Sequence, residues 1–160
     1  MAYHRGVLVE GYCDASCSGN PGPGAAAAIL VAREGATVAR EIEVVSDVTP
    51  QTTNQREELK GGILVLEQLK RPTRITITSD SRYLVDGMTK WMPAWIRKGW
   101  RTAGGDPVAN LDLWHQLQAL AGRHEVTWQW VKGHAGHPYN ERCDRLAVAA
   151  VRRFQQERRT

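Results

Sequence analysis

Residues 54–80 read NQREELKGGILVLEQLKRPTRITITSD, and the change of period inside this stretch decides the fold. Leu59, Ile63, Leu66 and Leu69 recur at three- and four-residue spacing, which predicts a helix with one apolar stripe. Asn54 and Glu57 stand in the N-cap and N3 relation of a capping box, so the helix is expected to start there, and Pro72 closes it. Residues 74–79 (RITITS) then alternate polar and apolar with the two-residue period of a strand. A strand reached through a crossover helix lies parallel to a neighbour in its sheet.

Upstream, residues 7–15 are apolar and β-branched enough for a strand that must end before the Gly-Asn-Pro-Gly-Pro-Gly run of residues 19–24, where helix is forbidden. Residues 25–32 (AAAAILVA) favour helix by composition, but their short length between Gly24 and Arg33 suits a buried strand. Residues 37–45 follow as a third strand, completing an antiparallel meander. Downstream, residues 81–87, 91–98 and 111–120 read as short helices. Residues 125–131, with Val126, Trp128 and Trp130 in alternation, form a fifth strand. Pro138 and Asn140 open a last helix with Cys143, Ala147, Val151 and Phe154 facing inward. The expected fold class is mixed α/β: a five-stranded mixed sheet, three antiparallel strands then two parallel, flanked by helices.

The 160 residues suffice for one domain (1–160) with one core, and no repeat, linker or low-complexity tract divides them. With 42% hydrophobic and 24% charged residues, a disordered polyelectrolyte is excluded. The longest apolar run, residues 25–32, falls well short of the roughly 18 residues a spanning helix needs. No export signal is visible at the start, so a cytoplasmic address is expected, without membrane association. Three cysteines, Cys13, Cys17 and Cys143, suit reduced apolar fillers better than a disulfide framework. The length requires no protein partner, and a monomer is expected. The net charge of +4 is mild, but its distribution is uneven. Lys90, Arg97, Lys98 and Arg101 have no acid among them, and Arg152, Arg153, Arg158 and Arg159 crowd the basic end, residues 152–160. The latter group reads as a phosphate-facing surface or, more simply, as a solvated helix end favourable to the helix dipole.

Asp14 ends the first strand and Asp80 follows the fourth, so both carboxylates emerge at one carboxyl edge if these strands are parallel neighbours. By the helical wheel Glu58 falls beside Leu59, Gly62 and Ile63 and can reach the sheet, while Glu57 points to solvent. Asp144, in the first turn of the last helix, is a fourth acid. Converging carboxylates repel one another unless a divalent cation compensates them, and an all-oxygen set selects Mg²⁺ or Mn²⁺. Two such ions roughly 3.5 to 4 Å apart support in-line phosphodiester displacement. The same acids also read as turn and cap residues, and spacing alone leaves both readings open.

Five segments in order carry a resemblance: DASCSGNPGPG (14–24), TTNQREEL (52–59), TSDSRY (78–83), VKGHAGH (131–137) and NERCD (140–144). Across residues 7–154 the chain resembles bacterial type I ribonuclease H, in the ribonuclease H-like superfamily. The resemblance implies endonucleolytic hydrolysis of the RNA strand of RNA/DNA hybrids, in replication intermediates and R-loops. It implies two Mg²⁺ ions per site with substrate, Mn²⁺ substituting, and 5′-phosphate and 3′-hydroxyl ends. It assigns metal binding to Asp14, Glu58, Asp80 and Asp144, and nucleophile activation or product release to His134. Minor-groove contacts fall on Asn20, Asn54 and Gln55, the last where asparagine is common. Arg82 stands where many relatives have glutamine.

The segment from Trp91 to Arg101 corresponds to the family's basic handle on the DNA strand, with Trp91, Trp95, Arg97, Lys98, Trp100 and Arg101 as its candidate contacts. Relatives often carry more lysines there; here Ile96 interrupts the positive charge. Thr53 keeps the DNA-phosphate pocket, while Gln51 and Ala94 replace an arginine and an asparagine. Each missing phosphate contact is expected to flatten the salt dependence of binding by about one log-log unit.

Other readings carry less of the chain. His134, His137 and Cys143 suggest zinc but lack a paired Cys-x-x-Cys and a fourth ligand. The glycine run lacks the Lys-Ser/Thr pair of a phosphate-binding loop. A non-catalytic hybrid reader would be expected to have lost an acid, and an enzyme of the same fold acting on duplex DNA would not need the histidine loop and tryptophan-bearing handle.

Overall fold

In the computed structural model, residues 7–133 and 136–159 are described. Strands β1 (Val7–Cys17), β2 (Gly22–Glu34), β3 (Thr37–Val45) and β4 (Thr49–Thr52) precede helix α1 (Asn54–Glu67) and strand β5 (Arg74–Ser79). Helix α2 (Arg82–Asp86), a π-helical turn (Gly87–Trp91) and α3 (Met92–Arg97) lead to α4 (Leu111–Ala121), β6 (Glu125–Trp130) and α5 (Pro138–Glu157). The sheet order is β3-β2-β1-β5-β6. β1 runs antiparallel to β2 and parallel to β5, and β5 runs parallel to β6.

Among the described residues the expected five strands are present, together with a sixth, β4, which pairs with β2 through Gly22↔Thr52 and Gly24↔Thr49. Its sequence, Thr-Pro-Gln-Thr, gives no alternation to read, and a strand with so few ladder pairs depends on its neighbours.

β2 is buried on both faces, which accounts for its alanine run. Ala28 and Leu30 join a core with Leu59, Ile63, Leu66, Leu84, Trp114 and Leu117. Ala27, Ile29 and Val31 pack instead against Cys143 and Ala147 of α5. Helix α1 therefore covers one face of the sheet and α5 the other. The approach of α1 is close: a Cβ on Gly61 would lie 3.1 Å from the Cys13 Cβ. Among the described residues no helix is long and apolar enough to cross a membrane.

The start of α1 differs from the capping box. Thr53 is the N-cap, its hydroxyl accepting from the Arg56 amide at 3.2 Å, and Asn54 is the first helical residue. Glu57 does not face solvent; it is 0% exposed. Its Oε2 accepts from the Thr52 hydroxyl at 2.9 Å and pairs with Lys60 Nζ at 2.9 Å, while Lys60 also donates to the Thr49 hydroxyl. The glycines of α1 explain the difference, because a helix seated this closely buries a wider arc than its apolar stripe. The helix ends at Glu67, before Pro72, with the Gln68 amide donating to the Val65 carbonyl.

This buried pair ties α1 to both ends of β4. Glu57→Met should cost about 2 kcal/mol, because it leaves the Thr52 hydroxyl without its acceptor and the partly buried Lys60 ammonium with the Thr49 hydroxyl but no counter-charge. Adding Lys60→Met should recover the part of that loss due to the stranded ammonium, the Thr52 hydroxyl still lacking its acceptor. Urea unfolding of the two single variants and the double variant measures the coupling directly.

Candidate active site

The parallel register places Tyr12 of β1 beside Thr78 of β5. Asp14 and Asp80 each lie two residues further along, at one level of the carboxyl edge of this pair. Asp80 follows β5, but Asp14 does not end β1 as expected, because β1 stays paired with β2 as far as Cys17. Asp14 Oδ1 accepts from the Ala15 amide at 2.8 Å. Burial, then the negative charge of Asp80 and lesser contributions from Asp144 and Glu58, push the Asp14 carboxyl up to about 7 despite the Ala15 hydrogen bond. Asp80 is held through its backbone: the Trp130 indole donates to its carbonyl at 2.9 Å. Gly133 comes so close that a Cβ there would stand 3.0 Å from Asp80 Oδ2.

Glu58 projects from α1 toward this edge. The Ser81 hydroxyl donates to Glu58 Oε2 at 2.5 Å and accepts from the Leu84 amide, capping α2. Burial raises the Glu58 carboxyl, the Ser81 hydrogen bond opposes this, and Asp80 adds to the rise. Asp144, on α5, shares a small cavity with Asp14 and Asp80 whose walls include Lys132, His137 and Glu141. Asn140 also lines it, donating to the Thr78 carbonyl at 3.3 Å while its own Oδ1 is buried without a partner among the described residues. The four sequence-assigned acids thus act on one another at one sheet edge. Among the described residues, no three His, Cys, Asp or Glu side chains are already drawn into a ligand set.

His134 lies outside the described residues. Of the set His134, His137 and Cys143, only the last two are described, and Cys143 is buried, its thiol against the Tyr12 carbonyl. The donors offered by the acids are oxygens that repel one another, which fits a hard divalent cation rather than zinc.

Asn20 Oδ1 accepts from the Asn54 amide at 3.2 Å, joining the β1–β2 turn to the start of α1, with Gln55 exposed beside it. Thr53 combines its expected place in the phosphate pocket with the capping role. Arg82 is exposed, its guanidinium 3.8 Å above the Trp130 ring. In the handle, Trp91, Trp95, Tyr83 and Trp114 form a chain of tilted ring contacts that also includes Trp100, at centroid separations of 5.1 to 5.9 Å. Trp95 and Trp100 are therefore half-buried supports as well as candidate contacts. Arg97 and Lys98 are exposed, Arg101 donates to the Gly105 carbonyl, and Lys90 faces Asp86 at 3.5 Å.

Sequence reasoning assigned no function to Ser81, Trp130 or Asn140. Serine before a helix signals a cap, but nothing local shows that the same hydroxyl reaches a carboxylate 23 residues away.

Fold and site define an α/β domain with an acidic cleft at the carboxyl edge of two adjacent parallel strands. The family model described as RNase H matches residues 7–152. The ribonuclease H of Ruegeria pomeroyi is 51% identical over 143 residues, covering 89% of this chain and 92% of that protein. That of Geotalea uraniireducens is 50% identical over 148 residues, covering 92% and 97%. Among solved structures, LC9-RNase H1, described as a type 1 RNase H with the type 2 active-site motif, superposes with a TM-score of 0.79 at 35% identity, covering 94% of this chain and 74% of that one. The chain belongs to the ribonuclease H family.

Proposed function

We propose that the protein is a Mg²⁺-dependent type I endoribonuclease that cuts the RNA strand of RNA/DNA hybrids, such as replication intermediates and R-loops in the cytoplasm, leaving 5′-phosphate and 3′-hydroxyl ends. The observation that carries this reading is the shared level of Asp14 and Asp80 on adjacent parallel strands, with Glu58 and Asp144 acting on the same edge. Asp14 and Asp80 would hold both of two metal ions, Glu58 and Asp144 one each. When bound, such ions polarise the phosphodiester and make a water molecule a competent nucleophile at neutral pH.

The chain's own groups orient and discriminate. Ser81 fixes the Glu58 carboxylate, and Trp130 fixes the backbone at Asp80. Asn20, Asn54 and Gln55 offer amides to the minor groove, where the 2′-hydroxyl distinguishes RNA from DNA. Arg82, stacked on Trp130, presents a guanidinium with little rotamer freedom left to lose on binding. Trp91, Trp95, Trp100, Arg97, Lys98 and Arg101 receive the DNA strand, and His134 assists turnover.

The test is an incubation with labelled RNA/DNA, RNA/RNA and DNA/DNA duplexes, each with Mg²⁺, with Mn²⁺ and with chelator. Cutting is expected of the first duplex only, and only with metal. Binding of the hybrid without cutting would instead favour a non-catalytic reader, and equal cutting of DNA/DNA would overturn the substrate assignment.

A further inference from the structure

Helix α5 has a second face that the acidic cleft does not use. Cys143, Ala147 and Val151 are buried against the sheet. Around from them, Arg145, Val148, Ala149, Arg152, Arg153 and Gln156 line an open surface groove of about 440 Å³ that begins at Asp144 and has no wall outside α5. Arg145, Val148, Arg152 and Gln156 recur every three or four positions and so share one side of the helix, with Arg153 flanking them. Arg145, Arg152 and Arg153 are exposed and have no ion-pair partner among the described residues, whereas Arg142 on the same helix is paired with Glu41 and Glu43.

The helix dipole does not account for these charges. Its influence is confined to about the last turn, and the C-cap is Arg158. Arg152 lies more than a turn before it and Arg145 more than three. Both ends of the groove adjoin the site: Asp144 bounds one end, and near the other the Gln155 amide donates to the Ser18 hydroxyl at 2.8 Å, two residues before Asn20. At 1.5 Å per residue, Asp144 to Arg153 spans about 13 Å, against a nucleic-acid rise of about 3.4 Å per nucleotide along one strand.

We propose that this groove is a track for the sugar–phosphate backbone of the nucleic acid engaged at the acidic cleft, carrying it about four nucleotides past Asp144 toward the Asn20 turn. The three guanidiniums supply phosphate contacts, and Val148 leaves room between them. The proposal rests on the hybrid reading only for the identity of the duplex. It places cationic contacts on the side of the molecule away from the lysine-poor handle.

The experiment compares the wild-type chain with a triple variant, Arg145→Ser, Arg152→Ser and Arg153→Ser. A second triple variant, Arg40→Ser, Arg71→Ser and Arg123→Ser, removes the same charge from exposed positions elsewhere. Binding of a labelled RNA/DNA hybrid is followed by fluorescence anisotropy, in chelator, between 50 and 200 mM salt. The α5 variant should lose about 2 to 3 units of log-log slope and bind at least tenfold more weakly at 50 mM salt; the control should lose less than one unit. An unchanged slope in the α5 variant, or equal losses in the two variants, would overturn the track. If the wild type instead binds DNA duplex or single-stranded RNA in preference to hybrid, and the α5 variant alone loses slope on that ligand, the substrate reading fails while the track stands.

Discussion

Asp14→Asn is expected to lower hybrid cleavage by three orders of magnitude or more, equivalent to about 4 kcal/mol or more of barrier, and Asp80→Asn should do the same. These two acids occupy adjacent parallel strands at one level, so an amide at either position removes a negative oxygen that no neighbour replaces. Single-turnover rates at saturating enzyme measure the loss without interference from weaker binding. Near wild-type cleavage by Asp80→Asn would show that the site has been placed wrongly. The same Asp14 substitution should stabilise the metal-free protein at pH 8. Folding raises this carboxyl from an ordinary value of 3.8 to about 7 by burial and by the charge of Asp80. The folded state therefore disfavours the ionised form. Its cost is absent below about pH 4, grows as pH rises toward 7, and is complete above that. An uncharged asparagine should raise stability by about 2 kcal/mol at pH 8, allowing for residual solvent around the side chain, and by nothing at pH 4. Thermal melts in chelator at the two pH values check both the sign and the window.

Trp114→Ala carries the second large effect, a loss of about 3 to 5 kcal/mol. Trp114 is 0% exposed and meets the rings of Tyr83 and Trp95 at 5.2 and 5.1 Å. It also presses on the π-helical turn, where a Cβ on Gly87 would come within 2.0 Å of the indole. Removing it opens a cavity beneath the ring chain that supports the handle. Hybrid affinity should fall further than the cleavage rate of bound substrate, a split that denaturation midpoints together with KM and kcat resolve. A variant with intact stability would show that the indole is not seated as described.

Asp14 and Asp80 were legible because their placement follows from topology: a crossover helix makes β5 parallel to β1, so a side chain just past β5 and one where β1 outruns that pairing share one edge, although β1 itself continues to Cys17 beside β2. Glu58 was legible from the wheel, yet its neighbour Glu57 was not. The wheel assumes a stripe as narrow as its apolar residues, whereas Gly61 lets α1 approach β1 until a carboxylate is buried with its own lysine. The N-cap was displaced by one residue because Thr53 and Asn54 both cap well, and only the backbone decides between them. β4 had no signal, since Pro50 and two ladder pairs leave no alternation. The arginines of α5 could be read as a helix end favourable to the dipole because composition records how many there are but not which side they share.

The position of α5 in the chain has a consequence for biosynthesis. Translation delivers β1, α1 and β5 first, and with them Asp14, Glu58 and Asp80. Asp144 arrives only on the element that also covers the far side of β2, where Ala27, Ile29 and Val31 would otherwise face water. A chain made only as far as β6 therefore lacks both its fourth acid and the cover of the second, smaller core cluster. On the proposed reading, nuclease competence waits until α5 has been made and has docked on β2.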